Sequence, residues 1–222
     1  MTHQLHQTII RFPEINLETR DAHKLRGYFG SLFQEHSPLL HNHLETGENA
    51  YRYPLVQYKV LEGVPTLVGL NDGADLLIGL FLKIKELQIG ERSYPVLQKN
   101  IESKMVGIGL SDDLHAYRFQ TLWMALNQRN YEEYVVETEE QQPKHLKAVL
   151  TGNILSFFKA MSYRAKATVL VNLKITGERE TQFKNNAMLA FEAAFVTNAL
   201  LPGFIGLGKS VARGFGTIIT EV

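Results

Sequence analysis

The stretch Leu201 to Thr217 reads LPGFIGLGKSVARGFGT and places glycine at 203, 206, 208, 214 and 216. Residues this free to take φ > 0 rule out a continuous helix or strand there and dictate a compact loop. Such a loop can bring backbone amides close to a flat or anionic partner. Lys209 and Arg213 stand between the glycines, which makes phosphate the natural guest. Gly203, Gly208, Lys209 and Ser210 also satisfy G-x-x-x-x-G-K-[ST], the pattern of a nucleotide-binding P-loop. That motif needs a full helix behind it and later strands with a carboxylate for Mg²⁺. Only twelve residues follow Ser210, and Gly214 and Gly216 interrupt any helix begun there. Nucleotide binding is therefore a lesser alternative, to be separated by a test for bound ATP with Mg²⁺. A fold-only role accounts for one or two of the glycines.

The 222 residues suffice for one large domain or two of about 110. With 45% hydrophobic and 21% charged residues the composition is that of an ordinary globular protein. The absence of cysteine excludes disulfides and thiolate zinc sites. MTHQLHQTIIRF lacks the apolar run of a signal peptide, and no 18-residue apolar stretch follows, so a cytoplasmic, membrane-free protein is expected. The net charge of zero conceals a segregation: residues 141 to 222 hold ten Lys and Arg against four Glu, a net of +6, which leaves −6 for residues 1 to 140. A basic half beside an acidic one suggests one positive face.

In chain order, Thr8 to Phe12 reads as a strand, and Thr19 to Phe33 as a helix with Thr19 as N-cap. Tyr51 to Leu61 and Val64 to Leu70 form a hairpin across Glu62-Gly63. A second helix follows over Ala74 to Leu87, capped by Asn71 or Asp72, then a strand near Lys104 to Leu110. The order is β-α-β-β-α-β, a ferredoxin-like unit. Leu114 to Leu126 reads as a long strand, Asn127 to Asn130 as a turn, and the five glutamates between Glu132 and Glu140 as a solvated face. A helix over His145 to Met161, strands over Ala167 to Thr176 and Thr181 to Leu200 with a turn at Gly177, the glycine segment and a last strand, Thr217 to Val222, complete the chain. The expected fold is α+β: two tandem ferredoxin-like halves, residues 1–111 and 112–222, the second with its last helix replaced by the glycine-rich loop.

With those residues placed, the sequence resembles the Cas6 family of CRISPR RNA-processing endoribonucleases. LPGFIGLGKSVARGFG is similar to the C-terminal signature of the Cas6b-like branch, and YRYPLVQYK with VLEGVPTLVGL to its N-terminal half. The resemblance implies metal-independent cleavage of CRISPR repeat RNA: a ribose 2′-OH attacks the adjacent phosphorus, leaving a 2′,3′-cyclic phosphate and a 5′-OH. It implies no cofactor, and a histidine in the N-terminal half as catalyst. The candidates are His41 and His43, with His36 a weaker third. The partner is the repeat RNA, and exposed sheet edges offer a homodimer contact. Action alone or within an effector complex is open; the alternative to catalysis is a role as an RNA carrier in such a complex, which the paired His41 and His43 argue against because a pure binder needs neither.

In-line attack needs a base, an acid and positive charge for the phosphorane. Two imidazoles can supply the first two near neutral pH. His41 and His43 lie two positions apart, on one side of an extended segment. A zinc shared between them would need a third ligand, Glu45 or Glu48; no metal is expected. Lys209 and Arg213 are candidates for charge stabilisation or for RNA binding alone, with the loop glycines 203, 206, 208, 214 and 216 alongside. Tyr51, Tyr53 and Tyr58 can stack on bases or pack in the sheet, while Trp123 reads as core. Lys159, Arg164, Lys166, Lys174, Arg179 and Lys184 form the basic stretch, some of it for phosphate contacts.

Overall fold

The computed structural model describes residues 3–32, 53–183 and 186–221. They divide into two compact units. The first comprises Gln4–Val106 with Ala212–Gly214, the second chiefly Gly107–Val211 and Phe215–Val222.

The first unit runs β1 (His3–Arg11), α1 (Ala22–Leu32), β2 (Val56–Leu61), β3 (Val64–Leu70), α2 (Asp72–Leu80), β4 (Glu86–Ile89), β5 (Arg92–Pro95) and the opening residues of β6 (Asn100–Phe119). Its strands lie in the order β2-β3-β1-β6, with β4-β5 a separate hairpin. The β2–β3 turn is as expected: Glu62 and Gly63 take φ of 51° and 85°, the two positive values of a hairpin turn that matches strand twist. It sets the antiparallel register Leu61↔Val64 and Lys59↔Thr66.

Ala22, Leu25 and Phe29 line one face of α1 and pack with Ile10, Tyr58, Val60, Leu67 and Leu77 in a buried cluster. Thr19 does not cap this helix. Thr19–Asp21 forms a 3-10 turn, and the Glu18 amide donates to Asp21 Oδ2 at 3.2 Å. α2 also ends earlier than its apolar run suggests. After a 3-10 turn at Phe81–Lys83, Leu87 and Ile89 turn inward with strand alternation, and Gly90 at φ 64° reverses the chain into β5. Tyr58 is 1% exposed and stacks on Phe29, so it serves the core and is closed to a base.

In the second unit β6 runs on to Phe119. One strand thus replaces the two expected at 104–110 and 114–126, with a register irregularity between Leu110 and His115. There the Ser111 hydroxyl accepts from the Asp113 amide at 2.9 Å, a local bond of the kind that turns favour, while the strand continues. Residues Asn127–Asn130 initiate α3 (Gln128–Tyr134): the Asn127 side chain accepts from the Asn130 amide at 2.8 Å. α4 (Gln142–Ala160) starts with Pro143 in its first turn. β7 (Val171–Phe183) passes Gly177 as a bulge where a turn was expected, and pairs antiparallel with β8 (Asn186–Leu200). β9 (Ile218–Thr220) joins β6. Leu150, Ile154, Phe157, Phe158, Trp123, Phe191 and Phe195 are buried. Trp123, as expected, is core: it stacks on Phe119, and its indole N–H donates to Asn153 at 3.1 Å. No described helix is long and apolar enough to cross a membrane.

Candidate nucleic-acid interface

The loop that joins β8 to β9 is built inward. Phe204, Gly208, Ser210, Gly214 and Gly216 all take positive φ, between 56° and 95°. Gly216 is fixed by backbone: a Cβ there would collide with the Leu207 carbonyl oxygen, and the Leu207 amide donates to Gly216 O at 2.9 Å. Gly208 lies against Trp123, and a Cβ would stand 2.7 Å from Met124 O and 2.8 Å from the indole nitrogen. Gly206 meets Val211 and bridges Thr217. Gly203 alone of the five has nothing within 4 Å of an added Cβ.

The amides follow the same plan. Phe204 donates to Ile218 O, Lys209 to Met124 O, Gly216 to Leu122 O and Thr217 to the Thr121 hydroxyl, at 2.7 to 2.9 Å. Those four N–H groups are consumed in holding the loop to residues 121–124 and to β9, so they are not the phosphate donors that the glycine content suggested. The P-loop alternative falls with them. Only a 3-10 turn, Val211–Arg213, follows Ser210, and Ser210 itself is left-handed at φ 56°.

The loop also carries two cations. Lys209 is half-buried in the second unit, and burial lowers its pKa. Arg213 clusters with the first unit and is also half-buried. Burial lowers its pKa, and the charge of Arg26 on α1 adds to the shift.

Beyond the loop, Lys159, Arg164, Lys166 and Lys174 are exposed on the second unit with no described carboxylate paired to them, whereas Arg179 pairs with Glu192. They form an exposed basic run from the end of α4 into β7, suited to phosphate contacts. Among the glutamates, Glu132, Glu133, Glu139 and Glu140 are exposed, but Glu137 turns inward to His145 Nδ1 at 2.9 Å.

His36, His41, His43, Glu45, Glu48, Tyr51 and Lys184 lie outside the described residues. Tyr53 is half-buried, its hydroxyl accepting from the Gln57 amide at 3.0 Å. A histidine the sequence did not single out is engaged at both ring nitrogens. His6 Nε2 lies 2.7 Å from Ser103 Oγ, and its Nδ1 lies 3.0 Å from Asp75 Oδ1. In outline this is a hydroxyl–imidazole–carboxylate relay. Asp75, however, is 70% exposed, so water screens its charge, and the three groups tie β1 to α2 and β6 across a wet surface.

Residues 3–107 match the Cas6b N-terminal domain and residues 109–221 the Cas6b C-terminal domain. A crystal structure of Cas6b superposes with a TM-score of 0.92 at 34% identity, covering 99% of this chain and 100% of that one. A second, described as the CRISPR RNA processing endoribonuclease Cas6b, superposes at 0.80 with 31% identity and the same coverage. The uncharacterized protein MJ0978 of Methanocaldococcus jannaschii is 30% identical over 140 residues, 63% of this chain and 95% of that protein. A type IV Cas6 crRNA endonuclease, Csf5, shares the fold at a TM-score of 0.60 and 13% identity.

Proposed function

The chain belongs to the Cas6b family, and from that membership we propose that it is an endoribonuclease that cuts CRISPR repeat RNA in precursor transcripts to release guide RNAs. The observation that carries this reading is that both family domains match, together spanning nearly the whole chain, and that a Cas6b fold accompanies them at 34% identity. We read its halves, residues 1–111 and 112–222, as ferredoxin-like: β-α-β-β-α-β in the first, interrupted by the β4–β5 hairpin, and β-α-β-β-loop-β in the second.

The reaction is metal-independent. His41 and His43 act as base and acid: one takes the 2′-OH proton as that oxygen attacks phosphorus, the other protonates the departing 5′-oxygen, and a 2′,3′-cyclic phosphate and a 5′-OH result. Lys209 and Arg213 hold RNA phosphates. Gly203, the open member of the glycine set, lets the RNA pass close to the loop. The other four glycines serve the interface by folding the loop that carries the two cations. The exposed Lys159, Arg164, Lys166 and Lys174 add phosphate contacts that place the RNA without reading its sequence.

The test is incubation in EDTA with repeat RNA from the protein's own genome, beside the same RNA with one 2′-deoxy substitution at the cut site. The expected outcome is a cyclic-phosphate product that the deoxy substitution abolishes and that His41→Ala or His43→Ala slows by roughly 10²-fold or more. Tight binding without cleavage would instead assign the chain a carrier role within an effector complex and retire both histidines as catalysts.

A further inference from the structure

We propose that β6 carries a self-complementary edge over Asn100–Val106, through which a second copy of this chain extends the sheet. These residues all belong to the first unit. β6 lies beside β1 in the sheet order, while its pairing with β8 begins at Gly109 and that with β9 at Tyr117. Among the described residues, then, Asn100–Val106 has a neighbouring strand on one side only. Asn100 to Met105 are exposed, Ile101 at 40% and Met105 at 59%. A strand edge of this kind presents unpaired backbone donors and acceptors to any extended chain, and proteins commonly close such edges with proline or a bulge. This stretch contains neither proline nor glycine, and the irregularity that β6 does have, between Leu110 and His115, lies outside it.

The side chains along the edge specify what it pairs with. Ser103 Oγ lies 2.9 Å from Thr8 Oγ1 and 2.7 Å from His6 Nε2, so Ser103, and with it Ile101 and Met105, faces the side of the sheet where those groups stand. Glu102 and Lys104 face the other side, their charged ends 2.6 Å apart, with Arg11 Nη1 3.7 Å from Glu102. A twofold axis perpendicular to the sheet keeps each face on its own side, so residues opposite one another across it are an even number of positions apart. Near the middle of the stretch this leaves three antiparallel registers. Centring on Glu102 sets Glu against Glu, and centring on Lys104 sets Lys against Lys, both of which repel. Centring on Ser103 sets Glu102 against Lys104 twice and Ile101 against Met105 twice, with the two serines at the axis. The stretch thus reads alike in charge and hydropathy from either end, which a contact between identical copies requires and a contact with an unrelated chain does not. A lone lysine on an edge strand blocks self-pairing; Glu102 turns it into a means of recognition.

The experiment is sedimentation equilibrium of the intact protein without RNA, from micromolar to submillimolar concentration, so that its outcome is independent of the functional reading above. Wild type is expected to show a reversible monomer–dimer equilibrium. Lys104→Glu and Glu102→Lys each turn two attractive cross-strand pairs into repulsive ones and should weaken the dimer by roughly tenfold or more. An equimolar mixture of these two variants sets Lys opposite Glu at both pairs again, and should associate about as tightly as wild type. Ser103→Cys gives a second readout: the chain has no other cysteine, and the register brings the two thiols together at the axis. Mild oxidation should then yield a covalent dimer, whereas Ser93→Cys, exposed on β5, should not. Wild type that stays monomeric at the highest concentration overturns the proposal. So does a dimer that Lys104→Glu leaves unchanged, a mixture no tighter than either variant alone, or a cross-link that forms as readily at 93 as at 103. Melting curves accompany each variant, and if Glu102→Lys does not fold, the Lys104→Glu shift and the Ser103→Cys cross-link decide.

Discussion

Gly216 and Gly203 lie in one loop and carry the same side chain, or lack of one, yet their surroundings are opposite. Gly216 is left-handed at φ 63° and closed in by the Leu207 backbone, whereas an added Cβ at Gly203 points into open space. The same division runs through the cations of the first unit. Lys59 on β2 is 0% exposed, and burial lowers its pKa to about 7; Arg26 on α1 stands half in solvent with its charge unmatched by any described carboxylate. Residue type alone distinguishes neither the two glycines from each other nor the two cations. Packing separates Gly216 and Lys59, which are closed into the fold, from Gly203 and Arg26, which are open to solvent on one side.

The largest test of that separation is Gly216→Ala. The new methyl meets a backbone carbonyl, which cannot swing aside, and the left-handed φ adds strain of its own. A destabilisation of about 3 kcal/mol or more is expected, read as a lowered urea midpoint at unchanged slope. A variant within about 0.5 kcal/mol of wild type would show that the loop can reopen, and would return Gly216 to the candidate binding residues.

Lys59 supplies the next test, through pH. Below about pH 7 the lysine is protonated in both the folded and the unfolded chain, and the full penalty of burying its charge is present. Between about 7 and the ordinary value of 10.5 only the unfolded chain holds the proton, so stability rises with pH. Wild type should therefore gain about 2 kcal/mol relative to Lys59→Met between pH 7 and pH 9, at about 1.4 kcal/mol per pH unit with some loss at the lower end. A wild-type-minus-variant difference that stays flat over this range would mean that Lys59 keeps its charge when folded.

How much of this was legible beforehand depends on how local the cause is. The Glu62-Gly63 hairpin is written in residues whose own backbone preferences decide the outcome, whereas α4, expected from His145, begins earlier at Gln142 with Pro143 inside its first turn. Ser111-Asp112-Asp113 carries equally turn-like residues, but the Ser111 hydroxyl satisfies the Asp113 amide and β6 runs through unbroken, held by β8. The apolar run after α2 fits a helix and a strand alike, and only the alternation of Leu87 and Ile89 around Gly90 betrays the hairpin. In the candidate site, Lys209 and Arg213 are visible by type. That the amides around them turn to Leu122 O and Met124 O is not, because those acceptors lie more than eighty residues away in the chain.

Gly203→Ala should do the least, and is informative for that reason. With no atom within 4 Å of the new methyl and no left-handed φ to strain, the change in stability should stay within about 0.5 kcal/mol. Repeat-RNA affinity then becomes a clean reading of whether anything approaches this backbone from outside. A loss of affinity of several-fold or more without loss of stability would put RNA in contact with the loop at Gly203, since a methyl that meets nothing in the protein can only be meeting the ligand. Unchanged affinity would confine the RNA to the cations, with all five glycines left to the folding of the loop that presents Lys209 and Arg213.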